Sequence, residues 1–171
     1  MNITFALCGG TIEKVYSETE ETTVFSTESD NAIQYVLENY VRPKSINIRY
    51  ARILQKDSSH MTEEDRIKIA DFIINSDTDK IVLTHGTSTM TQTAEFIMKK
   101  LKEKNIQKTI LMTGAMRPHF LYGTTDSVAN ISAALMAVQI YDQGVFIAMN
   151  GRIFEAGTVI KNVQAGVFEE N

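Results

Sequence analysis

Five short runs rich in apolar residues recur along the chain, each followed by a turn of small or polar residues. Their length is that of a strand rather than a helix, and a short apolar run bounded by turns is typical of a strand buried in a sheet. The predicted strands are Ile3–Cys8, Ser45–Leu54, Lys80–Leu83, Lys108–Met112 and Gly144–Met149.

Apolar residues at helical spacing fill the segments between these strands. Two residue pairs, Thr62 with Asp65 and Thr89 with Gln92, resemble capping boxes at helix starts. Strands that alternate with helices predict an α/β domain of three layers, with an open, mostly parallel sheet and helices on both faces. The simplest strand order is 2-1-3-4-5, which brings the turns after the strands to one edge. The expected helix caps are Ser29 or Asp30, Thr62, Thr89, and Asp126 or Ser127.

Two segments do not fit this pattern of strands and helices. Residues Thr11–Ser29 lack a clear period, and so long a loop is often a lid or a binding loop, to which Tyr16 and Phe25 contribute aromatic rings. The last twenty residues, from Gly151, contain no strong helical period and carry one central lysine, Lys161.

Composition narrows the possible partners and the compartment. The 171 residues suffice for one compact domain, and a net charge of −4 without a Lys/Arg cluster argues against a nucleic-acid partner. No basic segment of a secretory signal follows Met1, and no apolar run approaches the roughly 18 residues of a membrane helix. The single cysteine, Cys8, fits a reducing environment. We therefore expect a cytoplasmic protein that does not bind membranes.

The motifs of common cofactor sites are missing from the sequence. There is no GxGxxG, no GxxxxGK[ST] and no GxSxG, and the three histidines are too dispersed for a zinc site. What remains is a set of hydroxyl groups in the turns after the strands. A threonine hydroxyl becomes a nucleophile when a base removes its proton, and Lys161 is a candidate base. Helix capping and turn formation are the alternative roles for these hydroxyls. The hydroxyl residues are Thr11, Ser58, Ser59, Thr87 and Ser88.

Five short blocks follow one another along the chain: Gly9-Gly10-Thr11-Ile12, Asp57-Ser58-Ser59, Thr84-His85-Gly86-Thr87, Thr113-Gly114-Ala115-Met116-Arg117-Pro118, and Met149-Asn150 with Lys161. Together, in this order, they resemble the amino-terminal domain of the bacterial L-asparaginase family. The resemblance implies a flavodoxin-like parallel sheet and hydrolysis of a small carboxamide, such as asparagine, to an acid and ammonia without a metal or cofactor.

The resemblance also implies roles for individual residues. Thr11 matches the nucleophile that forms an acyl-enzyme, Thr87 matches the second catalytic threonine, and Lys161 matches the lysine that activates it. Either Tyr16 or Phe25 takes the place of the tyrosine beside the nucleophile, and the hydroxyl of Tyr16 favours Tyr16. The residues expected to bind substrate are Ser58, Ser59, Gly86, Ser88 and Ala115.

Two departures from the family bear on the function. Ser88 stands where the family has an aspartate that holds the α-ammonium of the substrate, so the preferred substrate is expected to lack a free α-amino group. The sequence ends at Asn171, so we expect residues 1–171 to form a single domain without the family's carboxy-terminal domain. A homo-oligomer is still expected, built through different contacts.

Two functions from different classes follow from these observations. The first is an amidohydrolase with a threonine nucleophile, which the retention of Thr11, Thr87 and Lys161 favours. The second is a catalytically weak or inactive binding or regulatory module that retains the pocket, which Ser88 and the missing domain favour.

Overall fold

The structure is a computed structural model that describes residues 1–25, 30–120 and 124–171. Its strands are β1 (Asn2–Gly9), β2 (Lys14–Ser17), β3 (Thr22–Phe25), β4 (Asn47–Lys56), β5 (Lys80–Thr84), β6 (Thr109–Thr113), β7 (Gly144–Met149), β8 (Arg152–Glu155), β9 (Val159–Asn162) and β10 (Val167–Glu170). Its helices are α1 (Asp30–Val36), α2 (Glu63–Asn75), α3 (Met90–Lys104) and α4 (Ser127–Ile140).

Six strands form one twisted sheet in the order β4-β1-β5-β6-β7-β8. The first five pair in parallel, and β8 joins the edge antiparallel to β7. Because the predicted strands correspond to β1, β4, β5, β6 and β7, the predicted order 2-1-3-4-5 is confirmed. The antiparallel strand β8 is an addition that the apolar pattern did not indicate.

Helices cover both faces of the sheet, as the three-layer prediction requires. Side chains of α2 and α3 pack on one face, and side chains of α1 and α4 pack on the other. Alternate side chains of strand β5 are buried on opposite faces of the sheet. Ile81 and Leu83 belong to the core beneath α2 and α3, and Val82 belongs to the core beneath α1 and α4. Each is fully buried, and such burial stabilises the fold by about 1.5–3 kcal/mol per side chain.

The segment predicted as a long loop instead contains a hairpin. After a 3₁₀ turn at Thr11–Glu13, strands β2 and β3 pair antiparallel with Lys14 opposite Phe25. The prediction of an irregular loop was therefore wrong up to Phe25, and residues 26–29, with the expected cap Ser29, lie outside the described residues. The carboxy-terminal segment likewise forms the hairpin β9–β10.

One of the predicted helix caps is present in the structure, and two others lack the side-chain hydrogen bond of a cap. Thr62 and Asp65 form a complete capping box at the start of α2, which confirms that prediction. Thr89 and Asp126 are the cap residues of α3 and α4, but neither side chain caps its helix. The capping box predicted for Thr89 with Gln92 was therefore wrong, because the Thr89 hydroxyl has another partner.

The turns at the carboxyl edge of the sheet pack backbone against backbone. Gly10 has a φ of 90°, and a Cβ added there would lie 2.5 Å from the backbone nitrogen of Gly86. A Cβ added at Gly86 would in turn lie 2.5 Å from the Oγ of Ser58. Real Cβ contacts do not reach such distances, so both positions require glycine at this spacing.

We predict that Gly10→Ala lowers the free energy of unfolding by about 3 kcal/mol, since a side chain at positive φ adds strain to the overlap with Gly86. Gly151 is the matched control, because its φ is 74° and nothing lies within 4 Å of an added Cβ. Gly151→Ala should cost only about 1 kcal/mol. Urea unfolding followed by circular dichroism measures both, and equal losses would contradict the close packing.

Candidate active site

The two candidate catalytic threonines follow neighbouring parallel strands. Leu7 on β1 is in register with Thr84 on β5, so the chain leaves both strands at the same level of the sheet. Thr11 starts the 3₁₀ turn after β1, and Thr87 lies in the turn between β5 and α3. The backbone contact between Gly10 and Gly86 therefore brings Thr11 and Thr87 to adjacent positions at the carboxyl edge.

Lys161 reaches this edge from β9 and contacts Thr87 directly. Its Nζ lies 2.7 Å from the Oγ1 of Thr87, which is 7% exposed. Burial lowers the pKa of Lys161 from its ordinary value, and the negative charge of Asp57 partly opposes that effect. An amine with a lowered pKa is more readily present in the neutral form that can accept a proton.

Ser58 and Ser88 are joined where the turns after β4 and β5 meet. The backbone N–H of Ser88 donates to the Oγ of Ser58 at 3.0 Å, and Ser58 is 1% exposed. Gly86 leaves the space that the Ser58 side chain occupies. Ser88 itself is exposed, so its side chain is open to solvent at this edge.

Thr89 binds Ser58 instead of capping its own helix. Its Oγ1 donates to the main-chain oxygen of Ser58 at 2.7 Å. Together with the Ser88 amide, this bond fixes Ser58 from two sides. A threonine two residues after the candidate catalytic Thr87 thus connects α3 to the turn after β4, a role that helix propensity does not indicate.

Ser59 is oriented by Asp57, a residue for which the sequence suggested no role. The backbone N–H and the hydroxyl of Ser59 both donate to Oδ1 of Asp57, at 3.0 and 2.8 Å. Lys14 donates to the other oxygen, Oδ2, at 2.6 Å. The Lys14 hydrogen bond, helped by those of Ser59 and opposed by partial burial, lowers the pKa of Asp57 to about 2.

The turn after β6 places Ala115 at the same edge, buried in the core beneath it. Asp126 accepts hydrogen bonds from the backbone N–H groups of Met116 and Arg117, at 3.0 and 3.1 Å. Asn130 donates to the main-chain oxygen of Gly114 at 3.0 Å. The carboxylate that the sequence suggested as a helix cap therefore holds the loop that follows Ala115.

Tyr16, the predicted aromatic partner of the nucleophile, is 51% exposed on β2. Side chains two residues apart on a strand share a face, so Tyr16 lies on the same face of the hairpin as Lys14. Phe25, the alternative, is the cross-strand partner of Lys14, whose Nζ stands 5.5 Å from the ring centre. The choice of Tyr16 over Phe25 stays a prediction.

An ion pair joins Glu13, in the 3₁₀ turn that Thr11 starts, to Arg52, and the sequence did not suggest it. Glu13, which is fully buried, accepts a hydrogen bond from Arg52 at 2.7 Å and contacts the Oγ1 of Thr84 at 3.5 Å. Burial, followed by the charge of Glu13, raises the pKa of the buried Cys8 thiol far above its usual range. A thiol held in its neutral form is a poor nucleophile, so the hydroxyls are the better candidates.

Two other properties concern the described residues as a set. None of the helices in residues 1–25, 30–120 and 124–171 is long and apolar enough to cross a membrane. Within the same ranges, no cluster of three or more His, Cys, Asp or Glu side chains is arranged to hold a metal ion.

The fold and the site define a doubly wound α/β protein in which threonine and lysine side chains gather at the carboxyl edge of a parallel sheet. The chain belongs to the asparaginase family: residues 2–167 match the family described as "Asparaginase, N-terminal". The fold class inferred from the sequence and the family resemblance are both confirmed.

Individual relatives agree with this assignment. A probable periplasmic L-asparaginase of Haemophilus influenzae is 30% identical over 174 residues, which cover 97% of this chain and 48% of that protein. A solved structure of a probable cytoplasmic L-asparaginase from Campylobacter jejuni has 27% identity and a TM-score of 0.80, over 99% of this chain and 52% of that one. The solved structure of the thermostable L-asparaginase from Thermococcus kodakarensis is 24% identical and shares the fold, with a TM-score of 0.84. The match covers 99% of this chain and 51% of that one. The chain thus spans about half the length of the curated relatives it matches.

We predict that Thr89→Val lowers the free energy of unfolding by about 1 kcal/mol, because the main-chain oxygen of Ser58 loses this donor and keeps only the N–H of Met61. Thr91→Val, a substitution of the same shape on the same helix, should stay within about 0.5 kcal/mol of the wild type. Urea unfolding at neutral pH measures both variants. Indistinguishable effects would mean that the bond from Thr89 to Ser58 contributes little to stability.

Proposed function

We propose that this domain hydrolyses a small carboxamide to the corresponding acid and ammonia, with Thr11 as the nucleophile. The contact between the Nζ of Lys161 and the Oγ1 of Thr87, which is 2.7 Å long, is the observation that carries the proposal. Membership of the asparaginase family supports the reaction class. The cytoplasmic location and the homo-oligomer stay predictions.

The reaction proceeds in two steps. In the first, the Oγ1 of Thr11 attacks the carboxamide carbon, the C–N bond breaks, and the Thr11 proton leaves with the nitrogen as ammonia. In the second, water attacks the resulting ester while Thr87 takes a proton from that water and passes its own to Lys161. The proton then moves to the Thr11 oxygen as the acid departs, which restores the enzyme.

Lys161 suits the second step because burial lowers its pKa. A neutral amine accepts a proton, whereas an ammonium cannot, so the lowered pKa increases the active fraction near neutral pH. Serine residues on the other side of the site, Ser58 and Ser59, are proposed to bind the substrate's carboxylate. Ala115 and Gly86 complete the proposed binding surface.

Ser88 limits which substrates bind well. A serine hydroxyl accepts a hydrogen bond but cannot neutralise an ammonium group, and loss of a charge-assisted hydrogen bond costs about 1.5–3 kcal/mol. Asp57, the carboxylate beside the proposed binding serines, already accepts from Lys14 and Ser59. We therefore propose that the preferred amide carries a carboxylate but no α-ammonium, as succinamate does.

We predict that the purified protein releases ammonia from at least one member of a panel of small amides that includes asparagine, glutamine and succinamate. Thr11→Val should abolish this release, because it removes the attacking oxygen and leaves the side-chain volume nearly unchanged. Thr158→Val, a change at an exposed threonine in the turn before β9, should leave it intact. A coupled ammonia assay reports both variants.

Either of two results would overturn the proposed hydrolysis. One is the absence of ammonia from the whole panel, and the other is a Thr11→Val variant as active as the wild type. Thermal stabilisation by aspartate or asparagine without turnover would favour the binding-module function instead, which the exposed Ser88 makes the second candidate.

We also predict that Ser88→Asp raises kcat/KM for asparagine about tenfold, because a carboxylate at this exposed position pairs with the α-ammonium. The same variant should not improve succinamate, which has no ammonium to pair. Ser45→Asp, which adds the same charge at an exposed turn before β4, controls for net charge. Equal gains for both substrates, or none for asparagine, would contradict the proposed role of Ser88.

A further inference from the structure

Lys14 ties the hairpin that follows Thr11 to the opposite side of the site. It begins β2, directly after the 3₁₀ turn that Thr11 starts, and its Nζ donates to Oδ2 of Asp57 at 2.6 Å. The side chains are 18% and 30% exposed, so water screens this ion pair less than a surface pair. The ring of Phe25, opposite Lys14 in the hairpin, lies beneath the ammonium and holds it in place.

Asp57 therefore has both of its oxygens engaged. Lys14 occupies Oδ2, while the N–H and hydroxyl of Ser59 occupy Oδ1. Because these bonds hold the pKa of Asp57 at about 2, the carboxylate is ionised throughout the neutral range. A single charged group thus connects the segment after the proposed nucleophile to a proposed substrate-binding serine.

A short series of contacts connects the same carboxylate to the proposed base. Ser58, the residue after Asp57, accepts a hydrogen bond from the amide of Ser88, and the residue before Ser88 is Thr87, which contacts Lys161. This short path places the charge of Asp57 where it acts on the Lys161 ammonium.

Charged groups on the elements that pack against β9 are engaged elsewhere or face solvent. On β10, Glu169 accepts from Asn162, and Glu170 accepts from Arg152. On α3, Glu95 is exposed and Lys99 pairs with Glu103 at the surface.

We propose that Asp57 is a positioning residue of this site, which Lys14 clamps and partly neutralises, and which orients Ser59 and sets the electrostatic surroundings of Lys161. The role in turnover rests on the proposed function, whereas the electrostatic coupling does not. Lys14 offsets the negative charge that would otherwise favour a protonated Lys161. Asp57 can thus hold Ser59 without keeping the base fully charged.

This arrangement predicts opposite effects for two variants that break the same ion pair. Asp57→Asn removes a negative charge near Lys161, so the pKa of Lys161 should fall. Lys14→Met leaves Asp57 ionised and unpaired, so the pKa of Lys161 should rise. If the ion pair only braced the fold, both changes would loosen the site, expose Lys161 and move its pKa in the same direction, towards the ordinary value.

The test is an NMR titration of protein labelled with ¹³C at the lysine Cε positions, with the Lys161 signal assigned through Lys161→Arg. Lys14→Arg, which retains the charge, should leave the titration midpoint near that of the wild type. Asp77→Asn breaks the exposed pair with Arg49 and is the matched control, expected to leave the midpoint unchanged. Midpoints that move in one direction for Asp57→Asn and Lys14→Met, or do not move, overturn the proposal; opposite movements support it.

Steady-state kinetics test separately whether the hydrogen bond between Asp57 and Ser59 contributes to substrate binding. With an amide that the wild type hydrolyses, Asp57→Asn should raise KM about tenfold, because Ser59 loses a charged acceptor. The acid limb of the pH profile of kcat should follow the Lys161 midpoint in each variant. The titration needs no substrate, so an absence of ammonia release counts against the proposed function alone, while the NMR midpoints still decide the electrostatic coupling.

Discussion

The close approach of three turns at the carboxyl edge of the sheet is the constraint on which the site depends. Gly10 lies against Gly86, and Gly86 lies against Ser58, at distances that leave no room for a Cβ atom. This close packing, of the Gly10 backbone on the Gly86 backbone and of Gly86 on the Ser58 side chain, sets the spacing between the segments that carry Thr11, Thr87 and the serine pair. It also allows the amide of Ser88 to reach the Oγ of Ser58. A side chain at either glycine would separate the groups that the proposed reaction requires together.

The fold could be predicted from the sequence wherever burial on both faces leaves a continuous apolar run. Strands β5 and β6 are buried along nearly their whole length, and their pattern identifies them and their parallel pairing. The hairpin β2–β3 was not predicted because each of its strands has only four residues, mixes polar with apolar side chains and is at most partly buried. Its pairing depends on a turn and on cross-strand contacts, which hydrophobic periodicity does not record.

The site divides in the same way between what short motifs reveal and what only the folded chain brings together. The turns bearing Thr11 and Thr87 follow predicted strands, and their common edge could be inferred from topology. The contacts from Thr89 to Ser58 and from Lys14 to Asp57 join residues 31 and 43 positions apart. No local propensity distinguishes a threonine that caps its own helix from one that binds a neighbouring turn. The predicted capping box at Thr89 failed for that reason.

The electrostatics of the site relate the serine at position 88 to the proposed role of Lys161 as a base. A carboxylate there would add a negative charge beside Lys161 and favour its protonated form. With Ser88, burial lowers the pKa of Lys161 and the negative charge of Asp57 opposes that effect, while Lys14 neutralises part of the Asp57 charge. In the proposed function, a serine at position 88 thus weakens recognition of an α-ammonium and favours the neutral amine. Under the proposed function, position 88 therefore bears both on recognition of an α-ammonium and on the protonation of Lys161.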